Sequence, residues 1–166
     1  MIDKRIGGEI IIWSSIFVSM VLVTMPMPQV FPLEFGFLRP DWVLMFLIYW
    51  IIALPHRVGV LTAWLSGVLV DVLSGCLLGQ HALAYVIISY AASNLYQRLR
   101  MFSVWQQAIV VLIFLVINQL TEFWIETILG FAEWKWWYLS PALSGAFLWP
   151  WVFLILRLVR RRTNMT

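Results

Sequence analysis

The chain has 166 residues, of which 63% are hydrophobic and 11% are charged, and its formal net charge is +3. Soluble domains are about half apolar and about a quarter charged, so this composition excludes an ordinary soluble domain. In a soluble protein the positive charge would suggest nucleic acid as a partner. Here the basic residues flank long apolar runs, where they set membrane orientation and contact anionic lipid.

The apolar segments predict membrane-spanning helices. Lipid cannot hydrogen-bond a peptide group, so a spanning segment must be a helix or part of a closed barrel. Continuous apolar runs, rather than strands of alternating polarity, favour helices. A span needs about 20 apolar residues, and short loops leave room for six spans. We therefore expect an all-α, polytopic fold in one integral membrane domain over residues 1–166, with helices at 9–25, 41–54, 58–73, 81–96, 104–129 and 139–158.

Proline, glycine and charge mark the predicted connections. Three prolines between residues 26 and 32 end the first helix, because proline lacks the N–H that a helix needs. The second helix is short, so it is expected to begin earlier, to tilt or to be partly re-entrant. A tight, glycine-bearing turn at Ser74–Gly79 precedes the fourth helix, and Gln97–Arg100 is predicted to connect the fourth helix to the fifth.

Lysine and arginine are distributed unevenly between the two sets of helix ends. Nine lie on one side, namely Lys4, Arg5, Arg57, Arg98, Arg100, Arg157, Arg160, Arg161 and Arg162, and two lie on the other, namely Arg39 and Lys135. Because cytoplasmic loops carry the excess of basic residues, both termini are predicted to be cytoplasmic. An aromatic belt is then predicted at the outer interface, formed by Trp134, Trp136, Trp137 and Tyr138.

The third predicted helix carries a ladder of mostly small residues at four-residue spacing, which places them on one helical face. Its members are Gly59, Ala63, Gly67, Asp71 and Gly75. Small residues let a second backbone approach closely. The ladder therefore predicts either packing within the protein or a docking face for a partner helix.

Asp71 is the most informative polar residue. An unpaired carboxylate at the centre of a bilayer costs on the order of 3 kcal/mol, so a partner is expected. The candidates are Arg39, His81 and the backbone amides of the turn at Ser74–Gly79. Three interpretations follow: a structural cap on that turn, a ligand or proton site, or a contact with a partner protein.

Three polar residues, Asn118, Glu122 and Glu126, share one face of the fifth predicted helix. Because like charges at this spacing repel, we expect either the wetted end of a long helix or an acidic groove facing a partner or ligand. No metal is expected, because no histidine lies nearby in the sequence. Without a catalytic serine–histidine–aspartate set or a glycine-rich phosphate loop, we expect neither an enzyme nor a cofactor.

Several short segments, taken in order, resemble the bacterial rod shape-determining MreD family over the region from about Arg39 to Arg160. These segments are Arg39–Leu44, Tyr49–Trp50, Ala53–Arg57, Asp71–Gly79, Trp105–Ala108 and Leu148–Trp151. The segment Asp71–Gly79 resembles the pattern D-x-x-S-G-x-x-L-G of that family. The positions that carry over from the family motifs are Arg39, Pro40, Asp71, Ser74, Gly75 and Gly79.

The resemblance implies a six-helix protein of the bacterial inner membrane without established catalytic activity. It implies a place in the machinery that elongates lateral-wall peptidoglycan and maintains rod shape. The implied partners are MreC, a single-span periplasmic protein, and, in the wider complex, MreB, RodA and the class-B penicillin-binding transpeptidase.

The implied fold is similar to the S-components of energy-coupling-factor transporters. That likeness implies an alternative function, a subunit that binds or transports a small molecule or lipid-linked precursor. The alternative requires a cavity with convergent polar groups near the outer face.

Overall fold

The computed structural model describes residues 2–25, 39–130 and 136–162, with the side chains of all these residues except 2–6 and 136–137. These segments contain six α-helices, so the predicted all-α class is confirmed for the part of the chain described. The helices are α1 (Ile2–Thr24), α2 (Trp42–Ala53), α3 (Val60–Ser74), α4 (Gln80–Met101), α5 (Val104–Ile128) and α6 (Ser140–Arg162). A 3₁₀ helix, Trp136–Leu139, directly precedes α6.

Two helices continue through arginines that were expected to lie beyond them. The predicted connection at Gln97–Arg100 is wrong, because these residues form the last turns of α4. Likewise α6 ends at Arg162 rather than near residue 158. Positive side chains stabilise a helix C-terminus by interacting with its dipole, so basic clusters extend these helices rather than ending them.

The boundary between α4 and α5 is set by a cap. The Ser103 hydroxyl accepts a hydrogen bond from the Gln106 backbone N–H, and the Gln106 side chain accepts from the Ser103 N–H. This reciprocal pair is a capping box, which starts α5 at Val104. At the other end of the chain, α1 begins at Ile2 rather than at the expected residue 9.

The short helix α2 forms the centre of the bundle. All its residues except Trp42 and Phe46 are buried, and it packs against α1, α4, α5 and α6. A helix that is apolar all round is one that is surrounded on all sides. A polar contact also joins it to α1, because the Trp50 indole N–H donates to the Ser15 hydroxyl at 2.8 Å.

The exterior of the bundle is apolar. Large side chains such as Phe17, Leu61, Trp105 and Phe147 each expose more than half of their surface. In the described residues, three segments are long and apolar enough to cross a membrane: Gly7–Thr24, Val104–Ile128 and Ser140–Arg162. Because α2 and α3 are apolar but shorter, the expected six-span topology stays a prediction.

The bundle has two chemically different ends. One, here called the acidic end, gathers Asp41, Asp71 and Glu122 where α3 and α5 finish and where α2, α4 and α6 begin. The opposite, basic end is formed where α2, α4 and α6 finish and α5 begins. It carries the guanidinium groups of Arg100, Arg157 and Arg160.

Candidate functional site

Asp71, the one acidic residue of α3, caps the start of α4. Its Oδ2 accepts hydrogen bonds from the backbone N–H of Gly79 at 2.8 Å and of Ala82 at 3.4 Å, while Oδ1 accepts from the His81 N–H at 2.9 Å. The first N–H groups of a helix have no partner inside it, and Gly79 supplies no capping side chain. The fully buried carboxylate of Asp71 therefore serves as the missing N-cap.

The turn between α3 and α4 brings these amides to Asp71. Gly75 ends α3 with φ +66°, and Gly79 precedes α4 with φ +104°. Glycine adopts this left-handed backbone without the steric cost that a Cβ would bring. The Cys76 N–H donates to the Asp71 carbonyl oxygen at 3.1 Å, and Ser74 is exposed at the end of α3. The expected tight turn is thus confirmed.

His81 connects three helices through its ring. Its Nδ1 lies 2.8 Å from Asp71 Oδ1, and its Nε2 lies 3.4 Å from Glu122 Oε1 on α5. Because both ring nitrogens face carboxylate oxygens, the geometry favours the doubly protonated ring, which can donate at both. No histidine lies near Glu122 in the sequence, but the packing of α4 on α5 brings His81 beside it in space. Among the described residues, no three side chains form a group that could hold a metal.

The polar face of α5 makes contacts within the bundle. The Asn118 side-chain amide donates to Glu122 Oε1 at 2.7 Å, and the Glu122 side chain is only 16% exposed. Glu126 accepts from the Gln80 amide at 3.3 Å and from the Tyr138 hydroxyl at 3.4 Å. Burial and the two nearby glutamates raise the pKa of the Tyr138 phenol, which keeps its proton for this bond. Separate donors for the two carboxylates offset their mutual repulsion.

Asp41 and Arg39 also lie at the acidic end, where α1 finishes and α2 begins. Asp41 caps α2 by accepting from the Leu44 N–H at 3.0 Å, and the Tyr85 hydroxyl of α4 donates to both Asp41 oxygens at 2.8 Å. Arg39 donates to the carbonyl oxygens of Leu22 and of Met25 at the end of α1. Arg39 was one of the expected partners of Asp71. That expectation is wrong, because Arg39 donates to backbone carbonyl oxygens of the α1 segment instead.

Two of these side chains were missed as site residues in the sequence. Asp41 follows Pro40 directly before an apolar run, which is the usual position of an N-cap. Tyr85 lies four residues after His81 and so on the same helical face. Both signals are local in the sequence and are sufficient to predict Asp41 and Tyr85 as members of the site.

A cavity of about 190 Å³ lies inside the acidic end. Its polar lining comprises Arg39, Asp41, His81, Tyr85, Asn118, Gln119 and Glu122. The buried side-chain carbonyl oxygens of Asn118 and Gln119 have no hydrogen-bond partner among the protein atoms described. Small-molecule sites usually measure about 300–1,000 Å³, so this cavity is better suited to a few water molecules.

The small-residue ladder packs α3 against α4. A Cβ added at Gly67 would lie 2.4 Å from Ala82 Cα and 2.7 Å from Ala82 N, so the two backbones touch there. Ala63 on the same face is fully buried, whereas Gly59 and Gly75 cap the two ends of α3. The contact at Gly67 supports packing within the protein, the first of the two interpretations.

Part of the predicted outer surface lies outside the described residues. Trp134 and Lys135 are among them, and the side chains of Trp136 and Trp137 are not described either. The predicted aromatic belt therefore stays a prediction. The same holds for the proline-rich connection over residues 26–38.

An apolar exterior that surrounds a buried, mutually paired set of charges defines a helical membrane protein. A family model described as rod shape-determining protein MreD matches residues 4–159. The chain therefore belongs to the MreD family, as the resemblance indicated, and this membership supports a role in determining rod shape.

A curated relative supports the same assignment. The rod shape-determining protein MreD of Haemophilus influenzae is 35% identical over 134 residues, which cover 81% of this chain and 83% of that protein. No solved structure matches the chain.

Proposed function

We propose that this protein is a non-enzymatic scaffold of the cell-wall elongation complex in the bacterial inner membrane. It binds MreC and thereby supports lateral peptidoglycan synthesis, within a wider complex that includes MreB, RodA and the class-B penicillin-binding transpeptidase. The observation that carries the proposal is membership of the rod shape-determining family over residues 4–159.

The acidic end supports a structural role for its charges. Asp71 caps a helix, Asp41 caps another, and His81 joins the carboxylates of Asp71 and Glu122. Each of these groups is occupied by a contact between helices. A reactive site would instead need a side chain poised toward a substrate. The arrangement favours a rigid body that presents its apolar faces to other membrane helices.

The outward face of α3 is our candidate surface for the MreC membrane helix. Gly67 is occupied by α4, which leaves the opposite face of α3 as the one open to a partner. This face exposes Leu61, Leu65, Leu69 and Val72. Lipid is as apolar as these side chains, so a partner helix must be recognised by close packing and hydrogen bonds rather than by hydrophobicity.

Cysteine crosslinking tests this surface. The exposed Cys76 is first replaced by serine, and single cysteines are then introduced at Leu61 or Leu69 and paired with cysteines along the MreC membrane helix. We expect crosslinks from both positions. Cysteine at the fully buried Ala63 of the same helix is the matched control and should give none.

Two results would count against the proposal in different ways. Efficient crosslinks only from outward positions of α5 or α6, such as Ile113 or Phe147, would move the docking surface away from α3. Failure of MreC to co-purify with the wild-type chain from membranes in which both are expressed would overturn the binding itself.

The proposed topology has six spans and two cytoplasmic termini. Its support is the distribution of basic residues, nine against two, and the way successive helices run between the acidic and basic ends. A cysteine introduced after Arg162 should resist a membrane-impermeant thiol reagent added from the periplasm. Efficient labelling of that cysteine in intact spheroplasts would reverse the assigned orientation.

The alternative function as a small-molecule or precursor-binding subunit finds less support. It needs a roomy polar cavity at the acidic end, and the cavity there is about 190 Å³. That volume is below the range of about 300 Å³ and above in which small-molecule sites usually fall.

A further inference from the structure

The outward face of α4 carries a row of exposed polar side chains. Tyr90, Asn94 and Arg98 follow one another at four-residue spacing, so they lie on one side of the helix. All three are exposed, and Tyr90 exposes 64% of its surface. The buried side of α4 packs against α2, α3 and α5. This set of three residues, here called the polar row, therefore faces away from the bundle.

The polar row has no polar partner within the described part of the chain. Neither a hydrogen bond nor an ion pair from a described residue reaches the Tyr90 hydroxyl, the Asn94 amide or the Arg98 guanidinium. The neighbouring Gln97 differs, because its amide donates to the Tyr96 hydroxyl at 3.2 Å. Tyr90 and Arg98 are long enough to extend their polar ends toward water. Asn94 is not, because a single methylene holds its amide next to the helix backbone.

The position of Asn94 along α4 places its amide among apolar neighbours. The 22 residues of α4 are about 33 Å long, which is enough to cross a hydrocarbon layer of about 30 Å. Asn94 lies seven residues before Met101, so it is about 10 Å from the end of the helix. On the same face Leu83 and Ile87 are exposed before the polar row, and Met101 is 79% exposed after it. The apolar surface thus continues on both sides of the amide.

An amide in this position needs hydrogen bonds that lipid cannot give. Hydrocarbon chains contain no donor or acceptor, so a polar group that faces them loses the bonds it would make with water. In membranes such groups are satisfied by side chains of a neighbouring helix. Although α4 is long enough to span, it is not among the three described segments that are also apolar enough to do so. Its outward face is therefore better suited to a protein than to lipid.

We propose that the polar row is a docking surface for a transmembrane helix of another protein. That helix carries an amide or hydroxyl side chain opposite Asn94 and a carboxylate, one turn nearer the cytoplasmic end, opposite Arg98. The Asn94 amide both donates and accepts, and the Arg98 guanidinium donates to the carboxylate. The inference rests on the proposed topology, in which α4 spans the membrane. It goes beyond the proposed MreC surface, because that surface lies on α3.

Charge complementarity selects this occupant over two others. A symmetric pair of copies with parallel α4 helices would bring Arg98 close to Arg98, and like charges repel. The headgroup of an anionic lipid would neutralise Arg98 but would leave the Asn94 amide, one turn deeper, among acyl chains. A partner helix with one polar and one acidic side chain satisfies both residues.

Binding of designed single-span peptides to the full-length chain tests this inference. The chain is labelled with a fluorophore at Cys76, its one cysteine, and placed in phosphatidylcholine vesicles. Leucine-rich peptide helices carry a second fluorophore, and association is measured by energy transfer. One peptide has asparagine and glutamate at the depths of Asn94 and Arg98, and a second has leucine and glutamine there. We expect the first to bind about tenfold more tightly, because each hydrogen bond between membrane helices contributes a factor of about three to ten.

Single substitutions show which residues produce this preference. Asn94→Leu should reduce it to about threefold or less, and Arg98→Gln should weaken the glutamate peptide about threefold while leaving the glutamine peptide unchanged. Arg57→Gln is the matched control, because Arg57 is an exposed arginine of the basic end outside α4, and it should keep the full preference. Since Asn94 has no polar partner in the described chain, Asn94→Leu should also keep the Tm of wild type. Equal binding of the two peptides to wild type, or an undiminished preference in Asn94→Leu, would overturn the docking surface.

Thiol labelling tests the depth of Asn94 independently of any peptide. In a Cys76→Ser background, Asn94→Cys should resist a membrane-impermeant thiol reagent, whereas Arg161→Cys, at an exposed position near the end of α6, should be labelled. Rapid labelling of Asn94→Cys would show that the polar row lies in water and would overturn the inference without affecting MreC binding at α3. Efficient oxidation of Asn94→Cys to a disulfide between two copies would overturn the partner and assign the surface to a second copy.

Discussion

Replacing Asp71 by asparagine is the sharpest test of the acidic end. The substitution keeps the shape of the side chain but turns one acceptor oxygen into an NH₂ donor. In the protein, Oδ2 accepts from Gly79 and Ala82, while Oδ1 accepts from the His81 backbone and faces its ring. Whichever way the amide is placed, a donor then faces at least one backbone N–H.

The magnitude follows from the bonds that are lost. One buried donor left without an acceptor costs about 1–3 kcal/mol. Removal of the negative charge from the N-terminus of α4 adds about 0.3–1 kcal/mol. The His81 ring also loses a charged partner, although Glu122 remains beside it. We therefore expect Asp71→Asn to lower the free energy of unfolding by about 2–4 kcal/mol.

The measurement is unfolding in mixed micelles, followed by tryptophan fluorescence, together with hydrogen exchange at the first amides of α4. Glu9→Gln is the matched control, because Glu9 is an exposed carboxylate and its loss should change stability by less than about 0.5 kcal/mol. In Asp71→Asn the amides of Gly79, His81 and Ala82 should exchange faster. If stability stayed within about 0.5 kcal/mol of wild type with unchanged exchange, the capping role would be refuted.

Two further predictions concern the contacts of α4 with its neighbours. Gly67→Ala should destabilise the protein by about 1–3 kcal/mol in the same unfolding assay, because the new methyl would meet the Ala82 backbone, whereas Gly59→Ala, which meets nothing within 4 Å, should have little effect. Equal effects would show that α3 and α4 are less tightly packed than described. In a double-mutant cycle, His81→Gln and Glu122→Gln should show a coupling energy of about 1 kcal/mol, and additive effects would mean that the 3.4 Å contact contributes no stability.

The number and order of the helices could be predicted from the sequence because apolar runs report burial in lipid or protein directly. The ends of α4 and α6 could not. Arg98 and Arg100 are polar enough to form a loop, and equally suited to the last turn of a helix. The number of charged residues therefore does not show whether Gln97–Arg100 forms a loop or the end of a helix. The capping box at Ser103 and Gln106, which is visible in the sequence, does show that the break between α4 and α5 lies just before Val104.

Contacts within the site were easier to predict the closer their residues lie in the sequence. Asp71 and His81 are ten residues apart across a glycine-bearing turn, so their contact was among the expected ones and is confirmed. Tyr85 and Asp41 are 44 residues apart, and their hydrogen bond depends on how α4 packs against α2. Periodicity gives the face of a helix but not the neighbour that this face meets.

Short helices explain why charged side chains occur inside so apolar a bundle. The 12 residues of α2 are only about 18 Å long, against a hydrocarbon layer of about 30 Å. The backbone groups at its two ends have no partner within the helix, and charged side chains of the protein satisfy some of them. Asp41 accepts from the first turn of α2, and Arg100 donates to the carbonyl oxygens of Ile52 and Ala53 in its last turn. Asp71 does the same for the start of α4, so these charges satisfy the ends of helices, a structural task that requires no substrate.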